Sequence, residues 1–257
     1  MNNINILVSA SVPSKERSEE FRKVKDAQSN IEEAIIAVSR SIFFAGGRII
    51  MGGHPSISPL IAMVSTEFQH GPKDGSAGKE TKQKPLKIYQ SRAFEGFLPD
   101  STFVLYNSGF AEIQWVNAVN NEKFNPEIKG PQCRNSLAQL RSMMINEDLD
   151  AMVCIGGMEG VIEEFSLFRK MKSRKPIFLF KNTGGAAYNL ATNKSEDIMA
   201  NNFIKVYEDR PLEKSADLRT DIELQSFPIF PYTVRAAEMI DEIIKRKRDD
   251  PESFRSQ

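Results

Sequence analysis

The sequence has few of the residues on which metal and disulfide sites depend. Its 257 residues include two cysteines, two histidines and one tryptophan. Cys154 lies in an apolar run that predicts a buried strand, so a structural disulfide with Cys133 is not expected, and a reducing cytoplasm fits. No cluster of Cys or acidic residues accompanies His54, so we expect no metal site, and no resident cofactor is implied.

The sequence also lacks net charge and long apolar runs. Lys+Arg and Asp+Glu both total 34, so no basic field argues for a nucleic-acid partner. No apolar stretch approaches the ~20 residues of a membrane span, and the first residues do not have the pattern of a signal peptide. With 40% hydrophobic and 26% charged residues, the composition is that of an ordinary globular protein in the cytoplasm, away from membranes.

Short apolar runs alternate with helical patterns along the chain. This alternation predicts one α/β domain over residues 1–257: a Rossmann-like, doubly wound, mostly parallel sheet with helices on both faces. A Gly-, Lys- and Ser-rich stretch at about 69–84 predicts an exposed, mobile loop. Helices are expected from Ser29 or Asn30 and at 112–121, 136–146, 160–168, 211–224 and 231–247. Strands are expected at 4–8, 48–51, 86–90, 103–106, 151–155, 176–180 and 204–207.

The stretch around Gly156 and Gly157 organises the chain. A buried strand ends at these glycines, which permit positive φ and close approach of a ligand, and helical spacing begins at Gly160. The start of a helix suits a phosphate, because its free N–H groups carry the positive end of the dipole. Glu163 and Glu164, expected in the first turn, would stabilise the helix start or engage ribose hydroxyls. We therefore expect phosphates on the glycine amides and a ribose on the acids.

Two further junctions and one polar loop repeat this arrangement. Small and hydroxylic residues follow the first predicted strand, where open α/β sheets bind ligands. A glycine pair follows the second predicted strand, and another opens the helix after 176–180. A plain polar loop and ordinary turns are the alternative explanation. The candidate ligand-binding residues from these places are Ser9, Ala10, Ser11, Gly52, Gly53, His54, Pro55, Ser58, Thr183, Gly184 and Gly185.

Two side chains leave their roles open. His54 either hydrogen-bonds a ligand or fixes the turn in which it lies. Arg141 falls among apolar residues of the helix at 136–146, where an arginine can extend its charged end to solvent. Alternatively, Arg141 points to the ligand or forms an ion pair with Glu163 or Glu164.

The residues from Arg141 to Glu164 resemble a motif of the SLOG superfamily. That superfamily includes DprA, the LOG phosphoribohydrolases and the N-terminal region of TRPM channels. In LOG enzymes an arginine on a helix precedes Pro-Gly-Gly-x-Gly-Thr-x-x-Glu. Here Arg141 precedes Gly156-Gly157-Met158-Glu159-Gly160-Val161-Ile162-Glu163-Glu164. By this resemblance, Arg141 and Glu164 take the places of the catalytic pair, and Met158, Glu159 and Gly160 join the ligand-binding residues.

The chain departs from the LOG pattern at three positions. Ile155 replaces the proline, Glu159 enlarges the loop, and Val161 replaces the threonine, so a hydroxyl ligand of phosphate is gone. Together with the other glycine junctions, the motif resembles the bacterial SLOG branch linked to antiviral conflict systems. That resemblance implies recognition of a nucleotide-derived signal of the ADP-ribose, NAD or cyclic nucleotide type.

Three functions follow from these patterns. The first is a sensor that binds a nucleotide-derived small molecule and acts through a homodimer, a higher oligomer or a separate effector protein. The second is an N-glycosidase that cleaves a nucleotide or NAD, with Glu164 and Arg141 as its catalytic residues. The third is a scaffold without a ligand, which does not need close-approach glycines at three junctions.

Overall fold

The sheet carries the architecture of the chain. In a computed structural model, residues 4–13, 24, 26–69, 83–193, 202–208 and 232–251 are described. Seven strands form one sheet in the order β4-β3-β2-β1-β5-β6-β7, and every neighbouring pair is parallel. The strands are β1 Asn5–Ser11, β2 Arg48–Gly52, β3 Leu86–Ser91, β4 Ala111–Val116, β5 Ala151–Gly156, β6 Ile177–Phe180 and β7 Ile204–Tyr207.

Seven α-helices of the described residues cover the two faces of this sheet. Parallel strands need crossover connections, and the helices supply them. They are α1 Ala27–Phe44, α2 Ser58–Gln69, α3 Asp100–Asn107, α4 Arg134–Ile145, α5 Glu159–Met171, α6 Gly185–Thr192 and α7 Tyr232–Asp249. Buried residues of α1, α2, α3 and α7 form one core with the sheet, and those of α4, α5 and α6 form a second core on its other face. The predicted Rossmann-like α/β fold is confirmed.

The strand order reverses between β1 and β5. From β1 the chain builds outwards through β2, β3 and β4, and it then returns to place β5 on the other side of β1. Ser9 is paired with Cys154 and Ser11 with Gly156. In open α/β sheets, ligands bind outside the carboxyl ends of the strands at such a switch point. The fold therefore brings the polar residues at the end of β1 and the Gly156-Gly157 junction to one place.

Two predicted elements were wrong. Residues 103–106, predicted as a strand, belong to α3, and residues 112–121, predicted as a helix, contain strand β4. Phe103, Val104 and Tyr106 are exposed on α3. A short apolar run does not by itself distinguish strand from helix. In β4, the apolar residues alternate with Glu112 and Gln114, which is the period of a strand with two different faces.

Several predicted boundaries also shift. β1 continues through Ser11, so Ser9, Ala10 and Ser11 are strand residues rather than a loop. Helix α1 begins at Ala27, before the predicted caps. The remaining predicted strands and the helices at 136–146, 160–168 and 231–247 correspond to observed elements. The helix predicted at 211–224 lies outside the described residues, as does almost all of the loop predicted at 69–84.

Candidate functional site

A hydroxyl and a carboxylate meet at the switch point. The Ser9 side chain, on the face of β1 that packs against α4, α5 and α6, donates a hydrogen bond to Oε2 of Glu164 on α5. The Glu164 side chain is only 15% exposed. The contact joins the central strand to the helix that follows its neighbour β5, so it depends on the sheet order. Glu164 thereby holds a fixed position at the carboxyl edge of the sheet.

Arg141 reaches the same place from helix α4. Its Nε lies 3.6 Å from Oε1 of Glu164, and its Nη1 donates to Oε2 of Glu163. The Arg141 side chain is 16% exposed, whereas that of Glu163 is 60% exposed. Of the alternatives for Arg141, the structure therefore shows the ion pair with both acids. Glu163 makes this contact from the solvent side, and Glu164 makes it from the protein interior.

Burial changes the pKa of the Glu164 carboxyl and of the neighbouring Cys154 thiol. Burial raises the pKa of the Glu164 carboxyl above its usual value, and the hydrogen bond from Ser9 and the charge of Arg141 oppose that rise only in part. Burial likewise raises the pKa of the Cys154 thiol, with a smaller contribution from the Glu164 charge. Cys154 is fully buried and remains protonated, so it is not a nucleophile.

Helix α5 begins beside the Arg141 guanidinium. It starts at Glu159, so Glu163 and Glu164 lie in its second turn, and Glu159 is the acid of the first turn. A Cβ atom on Gly160 would lie 3.0 Å from Nη2 of Arg141, so glycine leaves the guanidinium room. Within the described part of the chain, the amides of Glu159 and Gly160 donate to no other residue. Two free donors and a guanidinium thus share one end of α5, which is favourable for an anion.

The glycine amides that precede α5 are used inside the protein. Gly156 N–H donates to Oγ1 of Thr183 at 2.7 Å, and Gly157 N–H donates to the carbonyl of Ser11 at 2.7 Å. Both glycines have positive φ. A Cβ atom on Gly156 would collide with Ile31, and one on Gly157 would collide with Val161. We expected these amides to hold a phosphate. They could do so only if their internal hydrogen bonds were broken.

The Gly184-Gly185 junction packs directly onto the Gly156-Gly157 junction. Thr183 is buried, and its hydroxyl links Gly156 N–H to the Phe180 carbonyl. Gly184 N–H donates to the Lys181 carbonyl, and a Cβ atom on Gly185 would lie 2.4 Å from the Gly157 oxygen. Internal packing therefore explains these glycines. Their repetition is no longer an argument for a ligand or against a scaffold.

The junction after Gly52-Gly53 is also hydrogen-bonded to its surroundings. The backbone N–H of Ser56 donates to Nδ1 of His54, and the Ser56 hydroxyl contacts the same nitrogen at 2.8 Å while it accepts from Val12 N–H. His54 thus orders the turn between β2 and α2 and fastens it to the end of β1. Ser58 is fully buried, and Thr102 of α3 donates to its hydroxyl, so the Ser58 side chain is used inside the protein. Pro55 is exposed.

The structure brings part of the predicted set together. Ser9, Arg141, Glu163, Glu164 and the start of α5 form one constellation, which we call the switch-point site. Ala10, Ser11, Gly52 and Gly53 lie at the same carboxyl edge on β1 and at the end of β2. One residue of this edge was missed, although it ends a predicted strand: Gln90 of β3. Its signal in the sequence is a polar amide at the end of a run of otherwise apolar alternate residues, Leu86 and Ile88.

Other kinds of site receive no support in the described residues. No group of three or more His, Cys, Asp or Glu side chains is arranged to hold a metal ion there. None of the described helices is both long and apolar enough to cross a membrane. A separate cleft of about 560 Å³ contains none of the predicted site residues; it is lined by residues such as Arg174, Phe203, Glu242, Lys245 and Arg246.

The doubly wound sheet and its switch-point site define a Rossmann-like α/β protein. The model of the SLOG cluster3 family matches residues 21–210, which is well over half of the chain. The chain therefore belongs to the SLOG cluster3 family.

Comparisons with individual proteins add the following. The X-ray structure of TM1055, a Northeast Structural Genomics Consortium target, is similar to this chain with 13% sequence identity and a TM-score of 0.46. The similarity covers 79% of this chain and 91% of that one. No curated protein matches the sequence.

Proposed function

We propose that the chain binds a nucleotide-derived ligand of the ADP-ribose, NAD or cyclic nucleotide type at the switch-point site. The observation that carries the proposal is the meeting of Ser9, Arg141 and Glu164 from three elements at the carboxyl edge between β1 and β5. The Arg141 and Glu164 side chains are 16% and 15% exposed. Burying two such charged groups costs free energy unless they pair with each other or with a ligand. A buried carboxyl with a raised pKa, such as that of Glu164, is frequent at functional sites.

The three groups match the parts of a nucleotide. Glu164 and Ser9 offer oxygen acceptors to ribose hydroxyls, and Arg141 offers a planar fork of donors to a phosphate. The amides of Glu159 and Gly160 add donors at the positive end of α5. This assignment replaces the glycine amides of 156, 157 and 184, which are engaged internally.

Glu163 stands where a phosphate would approach Arg141. Its carboxylate already pairs with Nη1, and its side chain is 60% exposed. An exposed ion pair contributes only ~0.2–1 kcal/mol, so a phosphate can displace it. Glu163 is therefore an internal anion that the phosphate of a ligand would replace at Arg141.

Thermal shift and mass spectrometry on the same samples test the proposal. The protein is incubated with NAD, ADP-ribose, AMP and deoxynucleotides, and one of them is expected to raise the Tm by several degrees at saturation without being consumed. Arg141→Gln should remove that shift while Arg40→Gln, which breaks an exposed Arg–Glu pair elsewhere, should retain it. If no nucleotide changes the Tm of the parent protein, the proposal is wrong.

The second candidate is an N-glycosidase, which the raised pKa and fixed position of Glu164 favour. In that reaction the bond between C1′ and the base nitrogen breaks, water bonds to C1′, and the base leaves with a proton. Glu164 would stabilise the positive charge at C1′ or accept the proton of water, and Arg141 would orient the phosphate. If the parent protein releases a free base, and Glu164→Gln lowers the rate of that release by about 10²–10⁴-fold, the N-glycosidase function is supported. Binding without base release supports the sensor.

The resemblance to the conflict-system branch supports the proposal that such a sensor acts in bacterial antiviral signalling. In that setting, ligand binding would have to be transmitted through a homodimer, a higher oligomer or a separate effector. Size-exclusion chromatography with light scattering, with and without the ligand found above, tests transmission by self-association.

A further inference from the structure

Gln90 is a largely buried residue whose amide makes no hydrogen bond to the described residues. The residue is 7% exposed and lies near the carboxyl end of β3, on the same face as Leu86 and Ile88. Within the part of the chain that the structure describes, its side chain makes no hydrogen bond. The amide atoms are not among the fully buried side-chain atoms that lack a partner, so the donor and the acceptor of the amide are open at the carboxyl edge.

Gly53 makes room for this amide. A Cβ atom at position 53 would lie 2.4 Å from Oε1 of Gln90, so another residue there would have to push the amide aside. The φ of Gly53 is not in the left-handed region, so backbone conformation does not demand glycine. Gly53 N–H donates to the Tyr89 carbonyl at 3.0 Å and keeps the turn next to β3. Glycine at position 53 therefore leaves the space in which the Gln90 amide lies.

The amide lies at the same edge of the sheet as the switch-point site. In the order β3-β2-β1-β5, Gln90 is two strands from Ser9, which corresponds to ~10 Å. Gly53 follows Gly52, which is paired with Tyr89 in the sheet, and Ala10 follows Ser9 on β1, so a small residue adjoins each of the two positions. Ser9 faces the layer of α4, α5 and α6, whereas Gln90 faces the opposite layer. A ligand that reaches both residues therefore crosses the carboxyl edge of the sheet.

We propose that the Gln90 amide recognises the base of the bound nucleotide. An amide presents a donor beside an acceptor, and it pairs in a bidentate way with a base edge that offers the complementary pair, such as N6 and N7 of adenine. This inference rests on the proposed function, because Ser9, Glu164 and Arg141 hold the ribose and the phosphate in it. Gln90 is then a residue that determines specificity and takes no part in chemistry.

Isothermal titration of the full-length protein tests this role. The probes are AMP, GMP, CMP, UMP, ADP-ribose and ribose 5-phosphate, which has the sugar and phosphate but no base. The variants are Gln90→Leu and, as a matched control, Gln114→Leu on the neighbouring strand β4, where Gln114 is paired with Tyr89. One base-containing probe is expected to bind the parent more tightly than ribose 5-phosphate does.

The expected result is that Gln90→Leu weakens that probe by roughly 5- to 150-fold, the range of a bidentate base contact. Ribose 5-phosphate should bind Gln90→Leu and the parent equally, and Gln114→Leu should behave as the parent does. The Tm of unliganded Gln90→Leu should not fall, because the amide makes no hydrogen bond to the described residues.

Three results would overturn the inference, and they are distinguishable. If no probe binds the parent, the proposed function fails and the role of Gln90 fails with it. If a nucleotide binds and its advantage over ribose 5-phosphate persists in Gln90→Leu, the proposed function stands and Gln90 does not read the base. A fall in the Tm of unliganded Gln90→Leu with unchanged binding would assign the amide to structure alone.

Discussion

Ser9 donates a hydrogen bond to Glu164, which lies 155 residues later in the chain. The contact forms because β5 returns to the side of β1, after three strands have been added on the other side. It holds a carboxyl group at the switch point between a hydroxyl and the Arg141 guanidinium, and burial there disfavours its ionised form. Stability and ligand binding should therefore both respond to this carboxyl.

Glu164→Gln should raise the Tm at pH 7. The pKa of Glu164 is raised in the folded state. Its contribution to the stability of the fold is therefore complete below a pH of about 4.5, the usual pKa, and is lost as the pH rises through the folded-state pKa. Glutamine keeps the shape and removes the ionisation. Thermal melts from pH 4 to 8 should show the gain at pH 7 and convergence of the two proteins in acid. A lower Tm for the variant at pH 7 would contradict this prediction.

Glu163→Gln should tighten the binding of a phosphate-bearing ligand. The substitution removes the exposed carboxylate that pairs with Arg141. The gain is expected to be roughly 2- to 5-fold, the size of an exposed ion pair. Titration calorimetry with the ligand identified by thermal shift measures it.

Glu67→Gln is the matched control for this experiment. Glu67 pairs with Arg40 through exposed side chains on α2 and α1, and its removal changes the net charge by the same amount. Equal gains for both variants would attribute the effect to net charge. Weaker binding by Glu163→Gln would show that Glu163 supports the ligand directly.

Glu147→Gln should destabilise the protein with the opposite pH dependence. Burial alone would raise the pKa of Glu147, but hydrogen bonds from Lys87 and Tyr89 and the nearby positive charges hold it below the usual value. Its contribution is therefore present above about pH 4.5 and is lost as the pH falls through the folded-state pKa. The expected loss at pH 7 is about 2 kcal/mol, because Lys87 keeps a buried charge.

Urea unfolding at pH 7 and pH 4 measures this loss. The difference between Glu147→Gln and the parent should shrink at the lower pH. A loss that stays constant between the two pH values would show that shape, rather than charge, is what Glu147 contributes.

Gly185→Ala should cost more stability than Gly46→Ala. Both glycines have positive φ, which costs ~1–2 kcal/mol for another residue. A Cβ atom at Gly46 meets nothing within 4 Å, whereas one at Gly185 meets the backbone oxygen of Gly157 at 2.4 Å. Overpacking adds ~1–3 kcal/mol at Gly185. Equal losses in chemical unfolding would refute the close packing of the two junctions.

The strongly buried elements could be predicted from the sequence because their patterns leave little choice. The runs at β5 and β6 are short, apolar and followed by glycines, as in a parallel sheet that is covered on both faces. Elements near the edge of the sheet were harder. The apolar run at 103–106 lies in α3, with Phe103, Val104 and Tyr106 on the surface. Folded proteins commonly expose some apolar residues, so an apolar run does not by itself predict a buried strand.

For the candidate site, the sequence by itself determined the components: the strand–glycine–helix junctions, Arg141 on a helix, and the acids at 163 and 164. Only the tertiary structure decided their use. The amides of Gly156 and Gly157 donate to Thr183 and Ser11, which local sequence cannot reveal, because the partners come from other strands and loops. The same strand order set Ser9 against Glu164 and left the Gln90 amide without a hydrogen bond among the described residues, since the sheet order fixes which distant side chains meet.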